Sequence, residues 1–153
     1  SLGLVGSEMC IRDRCTHNHQ EGIKGAVVTA TCGWMAKNGA SKKEIEEYAS
    51  REYPAGSYYK YPVSMSMKEL REVYRWDETC QGSVPAAIRC FLDSEDYESF
   101  IRNVLSFKCD SDTLGAIGGG IAEEFYKGTG FNNDELLKKY LDERLYGIVK
   151  ESK

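Results

Sequence analysis

Apolar positions recur at helical spacing along most of the chain. Between residues 21 and 37 they fall three or four apart, and the same period returns over 94–105 and over 112–127. This spacing places apolar side chains on one face of an α-helix. No two stretches alternate apolar and polar residues in the way that half-buried, paired strands do. The pattern therefore predicts an all-α fold made of several helices.

Local signals mark the ends of the first two helices. Asn38-Gly39 should end the first helix, because glycine readily adopts the left-handed conformation found just after a helix. Ser41 and Glu44 have the spacing of a capping box, which predicts a second helix that stops before Pro54. Residues 54–66 are rich in turn-forming residues and are predicted to form a loop.

Serine residues are the predicted starts of the later helices. Ser66 should cap a short helix, and Ser94 should cap a later helix that begins just after it. Ser83 should cap a helix over Val84–Leu92, with a proline in its first turn. A final helix is predicted over Asp134–Tyr146, where leucine and tyrosine residues recur at helical spacing.

Composition and charge exclude several classes of function. The chain of 153 residues is long enough for one domain, and no apolar run approaches the roughly 20 residues of a membrane span. A net charge of −4 gives no electrostatic signature of binding to nucleic acid or to anionic lipid. The even number of cysteines permits disulfides, but Cys32 and Cys90 lie in apolar helical patterns typical of buried free thiols. We therefore expect reduced cysteines and a cytoplasmic protein.

The two ends of the chain are expected to differ from its middle. Residues 1–14 have neither a helical period nor the basic start and apolar core of a signal peptide. They resemble translated sequencing-adaptor tails, so we interpret them as foreign to the fold, expect them to be disordered, and expect the natural polypeptide to continue upstream. The domain is predicted over residues 15–146, and residues 147–153 are predicted to be a C-terminal tail.

Asp110-Ser-Asp-Thr113 is the segment with the clearest chemistry. It comes directly before a predicted helix and brings two carboxylates and a hydroxyl together, which are ligands for Mg²⁺, Mn²⁺ or Ca²⁺. The same acids would also serve as an N-cap and a first-turn acid, so residue type alone leaves both interpretations open. An EF-hand is excluded, because Leu114 and Ile121 stand where that loop needs oxygen ligands.

The glycines of residues 115–120 do not form a nucleotide-binding loop. They follow no predicted strand and lie within an apolar helical pattern, so close helix packing is the simpler interpretation.

Cys15, His17 and His19, together with Cys10, offer ligands for zinc, but their spacing matches no common zinc site. Two further interpretations stay open for this segment. Backbone N–H groups at the helix start over Gly22–Gly25 are suited to a phosphate, and a plain surface loop is also possible.

Three segments together resemble one family. Residues 16–26 are similar to the Thr-His-x-His-Pro-Glu-Gly-x-x-Gly-Ala segment of ADP-ribosylglycohydrolases. Cys80-Gln-Gly-Ser-Val-Pro85 resembles a second family segment, and Asp110-Ser-Asp-Thr-Leu114 resembles the family's Asp-(Ser/Thr)-Asp-Thr metal motif. The segments occur in the family's order over residues 15–146. The family includes dinitrogenase-reductase-activating glycohydrolase, ADP-ribosyl-acceptor hydrolases and J-crystallins.

The resemblance implies the C-terminal portion of a multi-helix, all-α fold with two Mg²⁺ or Mn²⁺ ions in the complete protein. Asp110, Asp112 and Thr113 match metal ligands of the family. The implied reaction is hydrolysis of the bond at the ribose C1″ atom of an ADP-ribosylated protein or a small ADP-ribose conjugate. His17 matches a histidine of the ADP-ribose cleft. Gly22 and Gly25 match glycines of the same family segment, and the resemblance implies that they lie beside the bound substrate.

Departures from the family pattern bear on activity. The Thr-Asp-Asp ligand trio and the acidic catalytic residues are expected upstream, so no residue of this chain is assigned as general acid or base. Lys108-Cys109 replace the usual Gly-Gly, which is expected to crowd the ligand or weaken cation binding. We therefore expect weak metal binding and slow or absent turnover by this chain alone. The alternative is a non-catalytic, crystallin-like or ADP-ribose-binding member of the same fold.

Overall fold

A computed structural model of the chain describes residues 19–151, in which helices are the only regular secondary structure. This confirms the predicted all-α fold. The eight helices are α1 (Gln20–Lys37), α2 (Lys42–Glu52), α3 (Met67–Val73), α4 (Cys80–Leu92), α5 (Tyr97–Val104), α6 (Ser111–Tyr126), α7 (Asn133–Tyr140) and α8 (Glu143–Glu151).

Helices α1, α4 and α6 form a parallel core. Near the start of α1, Gly25 packs against Cys80 and Val84 in the first turns of α4. Near the other end, Lys37 of α1 lies 3.7 Å from Glu124 of α6. The helices therefore run in the same direction, and their N-terminal ends lie at one end of the core.

Gly118 allows α6 to pack closely on its neighbours. A Cβ atom there would lie 2.6 Å from Cε2 of Phe100 in α5 and 3.0 Å from the carbonyl oxygen of Ala87 in α4. This contact bears out the packing interpretation of the glycine cluster at that position. Gly115 and Gly120 are different, because added Cβ atoms there would meet nothing within 4 Å.

The predicted capping box at Ser41 and the predicted cap at Ser66 are confirmed. The Ser41 side chain accepts from the backbone N–H of Glu44, whose carboxylate accepts from the N–H of Ser41. Ser66 and Glu69 make the same reciprocal pair at the start of α3. Local sequence therefore determines where both helices begin, since each box satisfies two backbone donors.

The predicted loop over residues 54–66 is confirmed, and it contributes to the core. Tyr59 and Tyr61 are buried, and the Tyr59 ring packs edge-on against Tyr53 at 5.1 Å. The Tyr61 hydroxyl accepts a hydrogen bond from the backbone N–H of Arg75 at 2.9 Å. The loop is thus fixed by aromatic side chains although it has no regular structure.

The predicted start of α4 at Ser83 is wrong. The N-cap is Thr79, and Ser83 lies inside the helix, where its hydroxyl donates to the Thr79 carbonyl at 2.9 Å. The carboxylate of Asp77 accepts from the Thr79 N–H at 2.9 Å and shapes the turn that precedes the helix. Helix α4 therefore begins one turn earlier, and Pro85 lies within it.

The predicted cap at Ser94 is also wrong. Ser94 is buried, and its hydroxyl donates to the Phe91 carbonyl and contacts the Tyr126 hydroxyl at 2.9 Å. Helix α5 is capped instead by Asp96, which forms a capping box with Ser99. Ser94 joins the C-terminal ends of α4 and α6, and this tertiary role is not visible in the local sequence.

The single helix predicted over Asp134–Tyr146 is two helices. Leu141 is extended, and the Asp142 carboxylate accepts from the backbone N–H of Leu145 at 2.8 Å, so a new helix begins there. Residues 147–151, assigned above to a tail, lie in α8. No side chain of α7 or α8 is buried, so this pair is peripheral to the core.

Cysteine side chains in the described range are free thiols, at Cys32, Cys80, Cys90 and Cys109, and three of the four are buried. Burial raises the pKa of the Cys32 thiol to about 12. Cys10 and Cys15 lie outside the described residues. Over residues 19–151, no helix combines the length and apolar character needed to cross a membrane.

Candidate metal and ligand site

The N-terminal ends of α1, α4 and α6 bring acidic residues to one end of the core. Burial, together with the Glu21 carboxylate, raises the pKa of the Cys80 thiol. Glu21 at the start of α1 therefore lies near Cys80 at the start of α4. The charge of Glu78, just before α4, contributes to the raised pKa of Asp110, just before α6. The residues of this acidic end are Glu21, Asp77, Glu78, Asp110 and Asp112.

Asp110 occupies the N-cap position of α6, but its side chain makes no capping hydrogen bond. Its Oδ2 atom accepts instead from the Thr113 hydroxyl at 2.8 Å. Asp112 accepts from the backbone N–H of Thr113 at 2.8 Å, so it provides a first-turn hydrogen bond. The capping interpretation therefore applies to Asp112 and not to the Asp110 side chain.

The carboxyl groups of Asp110 and Asp112 change each other's pKa. A hydrogen bond between their carboxyl groups raises the pKa of Asp110 and lowers that of Asp112. Neither carboxylate is in an ion pair with a cation of residues 19–151. Two like charges this close disfavour joint ionisation. A bound cation would relieve that repulsion.

The donor set fits a hard cation in chemistry, although it is small. Asp110, Asp112 and Thr113 present carboxylate and hydroxyl oxygens, which Mg²⁺ and Mn²⁺ prefer. Within the described part of the chain, no group of three or more histidine, cysteine or acidic side chains is placed to hold a metal. These three residues would therefore leave most positions around an ion to water or to other groups.

Lys108 and Cys109 point to different sides of the chain. Cys109 is buried, and its thiol donates to the Val104 carbonyl at 3.2 Å. Burial raises the pKa of this thiol to about 11. The expectation that Cys109 crowds the ligand is therefore wrong, since its side chain packs into the interior. Lys108 is exposed and borders a separate cleft.

The two substrate-side glycines differ in their surroundings. A Cβ atom at Gly25 would lie 3.2 Å from both Cys80 Cβ and Val84 Cγ2, so Gly25 serves the packing of α1 on α4. A Cβ atom at Gly22 would meet nothing within 4 Å. Only Gly22 therefore lies on an open face, while His17 is outside the described residues.

His19 has a local role at the start of α1. It is the N-cap residue, and its Nδ1 atom accepts from the backbone N–H of Glu21 at 3.2 Å. The zinc hypothesis stays a prediction, because Cys10, Cys15 and His17 lie outside the described residues.

Sequence analysis missed two acids that face this end of the core. Glu78 lies close enough to influence Asp110, and Glu21 accepts from the hydroxyls of Tyr58 and Tyr59 at 3.3 and 3.4 Å. One Glu21 carboxylate oxygen is buried without a hydrogen-bond partner. Glu21 falls inside the first family-like segment, and this position is the signal that could have found it. Glu78 gave no comparable signal.

Comparisons with known proteins bear on this arrangement. A sequence model of the ADP-ribosylglycohydrolase family matches residues 7–130, which is most of the chain. The matched range contains Asp110–Thr113 and ends before α7. Neither the curated proteins nor the solved structures give a match to the chain. With the all-α fold, this match shows that the chain belongs to the ADP-ribosylglycohydrolase family.

Proposed function

We propose that the chain contributes part of a divalent-cation site to an enzyme that hydrolyses the ribose C1″ bond of an ADP-ribosylated protein or small ADP-ribose conjugate. Family membership indicates glycohydrolase activity on ADP-ribosylated substrates. The observation that carries the finer proposal is the placement of Asp110 and Asp112 at the start of α6, where the Thr113 hydroxyl donates to Asp110 Oδ2 at 2.8 Å and no cation of residues 19–151 pairs with either carboxylate. Acids with perturbed pKa values are often found at functional sites.

The proposed cation is Mg²⁺ or Mn²⁺, one of two such ions in the complete protein, held in part by Asp110, Asp112 and Thr113. When bound, it would supply Lewis-acid chemistry by orienting the ribose and activating a water molecule. The Thr113 hydroxyl already fixes Asp110 Oδ2 at 2.8 Å, so the chain positions one ligand in advance. No residue of this chain is proposed as the general acid or base.

The substrate is proposed to approach the start of α1. Gly22 leaves that face open, and free backbone N–H groups at a helix N-terminus favour phosphate. His17 is proposed to line the same cleft. Gly25 is reassigned from ligand contact to helix packing because its Cβ position is filled by α4 side chains.

The free thiols of the described range support a cytoplasmic location.

The proposal is tested by measuring Mn²⁺-dependent binding of ADP-ribose and its release from an ADP-ribosylated protein. Replacement of Asp110 and Asp112 by Asn should abolish the Mn²⁺ dependence of both. Glu123→Gln is a matched control, because it also removes an exposed acid from α6 and should leave both unchanged. ADP-ribose binding that changes neither with Mn²⁺ nor with the double substitution would contradict the proposal.

Lys108 favours a second candidate, a non-catalytic ADP-ribose-binding or crystallin-like protein. Lys108 stands two residues before Asp110 in the sequence, and a positive charge in this segment would oppose cation binding. Cation-independent binding of ADP-ribose without any release would support a binding protein. Absence of both binding and release would support a crystallin-like role.

A further inference from the structure

A basic cleft lies beside the acidic end of the core. It has a volume of about 530 Å³ and is lined by residues from α3, from the segment after it, and from the connection between α5 and α6. Three of its lining side chains are cations, Arg71, Arg75 and Lys108. We define these three residues and the space between them as the basic cleft.

Arg71 is held in place by neutral acceptors. Its Nε atom donates to the Ser106 hydroxyl at 2.7 Å, and its Nη2 atom donates to Asn103 Oδ1 at 3.2 Å. A guanidinium has five N–H donors, so three remain available. The contacts fix the side chain against the α5–α6 connection, two residues from Lys108, without neutralising its charge.

Arg75 and Lys108 also keep their charges. Arg75 Nη1 donates to the main-chain carbonyls of Glu72 and Tyr74 at 3.0 and 2.9 Å. The Lys108 ammonium is exposed and makes no hydrogen bond or ion pair with residues 19–151. Each side chain therefore retains N–H donors that a ligand can use.

Arg89 differs from the cleft arginines because its charge is neutralised by carboxylates. It is 8% exposed and contacts two carboxylates, Glu46 at 2.7 Å and Asp93 at 2.6 Å. None of the three cleft cations is in such a pair with a described acid. The positive charge of the cleft is thus concentrated and unneutralised, in contrast to the compensated charge of Arg89.

The floor of the cleft is aromatic and rigid. Tyr74 is 2% exposed, its ring packs edge-on against Phe107 at 5.1 Å, and it lies at a tilt against the Tyr61 ring at 4.3 Å. A rigid floor holds the backbone on which Arg75 and Lys108 sit. Fixed donors around a concave surface lower the entropic cost of binding an anion.

We infer that the basic cleft binds a phosphoryl group of a small phosphorylated molecule. Guanidinium groups match phosphate oxygens through paired N–H donors, and lysine adds a point charge. The volume of the cleft accommodates a diphosphate. The site is separate from Asp110, Asp112 and Thr113, and the inference does not rest on their holding a cation.

Calorimetry at low salt in the presence of a chelator tests this inference. Inorganic pyrophosphate should bind the unaltered chain, and high salt should weaken that binding. Lys108→Ala and Arg75→Ala should each weaken it about tenfold, the value of one charge-assisted hydrogen bond. Arg75→Ala/Lys108→Ala together should remove it, while Lys43→Ala, an exposed lysine on α2, should not change it.

Two additional measurements identify the source of the phosphoryl group. ADP-ribose that binds more tightly than pyrophosphate, and loses that binding in the double variant, would identify a nucleotide-type ligand. Equal or weaker binding would identify a free phosphate-type ligand. The Asp110→Asn/Asp112→Asn variant should keep pyrophosphate binding, so failure of the proposed cation site would remain distinguishable from failure of this inference.

The inference is overturned if the unaltered chain binds neither probe. It is also overturned if the double cleft variant, shown by circular dichroism to remain folded, binds pyrophosphate as the unaltered chain does.

Discussion

The starts of α6 and α7 use aspartate in opposite ways. In the first turn of α7, Asp134 lies 2.9 Å from the Lys138 ammonium and 2.7 Å from that of Lys150. These contacts hold the pKa of Asp134 well below its usual range. At the start of α6, Asp110 accepts from the Thr113 hydroxyl, has no cation of residues 19–151 as a partner, and its pKa is raised by the neighbouring Asp112.

The difference separates a structural acid from a proposed functional one. Asp134 is compensated by cations, and its contact with Lys150 joins α7 to α8 outside the family-matched range. Asp110 and Asp112 lie inside that range, and neither forms an ion pair with a lysine or arginine of residues 19–151. Charges that a fold leaves uncompensated are the ones available to a ligand.

The largest expected effect concerns the packing of the helix that carries the acidic pair. Gly118→Ala places a Cβ atom 2.6 Å from Phe100 Cε2 and 3.0 Å from the Ala87 carbonyl oxygen. We expect the free energy of unfolding to fall by about 1–3 kcal/mol, the usual cost of overpacking. Chemical denaturation followed by circular dichroism measures this change.

Gly120→Ala is the control, because its Cβ atom meets nothing within 4 Å on the same helix. It should raise stability by up to about 1 kcal/mol through helix propensity. Equal effects of the two substitutions would contradict the packing role of Gly118.

The next effect is confined to the compensated region. Asp134→Ala removes the contacts with Lys138, Lys150 and the Tyr146 hydroxyl. Because the two lysines are exposed, global stability should change little, while amide exchange in α7 and α8 should become faster. Glu143→Ala, which removes an exposed acid from the same pair of helices, should leave exchange nearly unchanged. Unchanged exchange in Asp134→Ala would show that this acid does not join the helices.

Acid should loosen the same pair of helices. Since the folded-state pKa of Asp134 is depressed, its stabilising effect is present above the ordinary aspartate pKa of about 3.9. That effect is lost as pH falls below this value towards the folded-state pKa. Amide exchange in α8, corrected for intrinsic rates, should therefore rise on acidification in the unaltered chain. A similar rise in Asp134→Ala would trace the acid effect to other groups.

The smallest expected effect compares two glycines at the acidic end. Gly22→Ala should slightly raise stability, by about 0.5 kcal/mol, since the added methyl group meets no neighbour. Gly25→Ala should lower it, because the methyl group approaches Cys80 and Val84 to 3.2 Å. Thermal unfolding of the two variants gives the comparison. A loss of stability in Gly22→Ala would contradict the open face on which ligand approach depends.

Much of the fold could be predicted because it depends on local signals. The capping box predicted at Ser41 and the cap predicted at Ser66 both involve residues three apart, and the structure confirms both. The role of Ser94 could not be predicted, since its hydroxyl contacts Tyr126, thirty-two residues away. The break between α7 and α8 was missed because the apolar period continues across Leu141 and hides the cap at Asp142.

The candidate site was predictable to a similar extent. Asp110 and Asp112 stand two residues apart, so their proximity follows from the sequence. Glu78 reaches the same region only because α4 and α6 are parallel, which sequence spacing does not reveal. The basic cleft depends likewise on α3 packing near the α5–α6 connection, with Arg71 bonded to Ser106.

Mn²⁺ binding, followed by electron paramagnetic resonance of the free ion, tests the central claim most directly. We predict weak binding by the unaltered chain, with a dissociation constant on the order of a millimolar, as for sites with few charged ligands. Asp110→Asn/Asp112→Asn should abolish it, and Asp134→Asn should leave it unchanged. Equal loss in both variants, or no loss in the first, would contradict the distinction between a compensated acid at α7 and an available pair at α6.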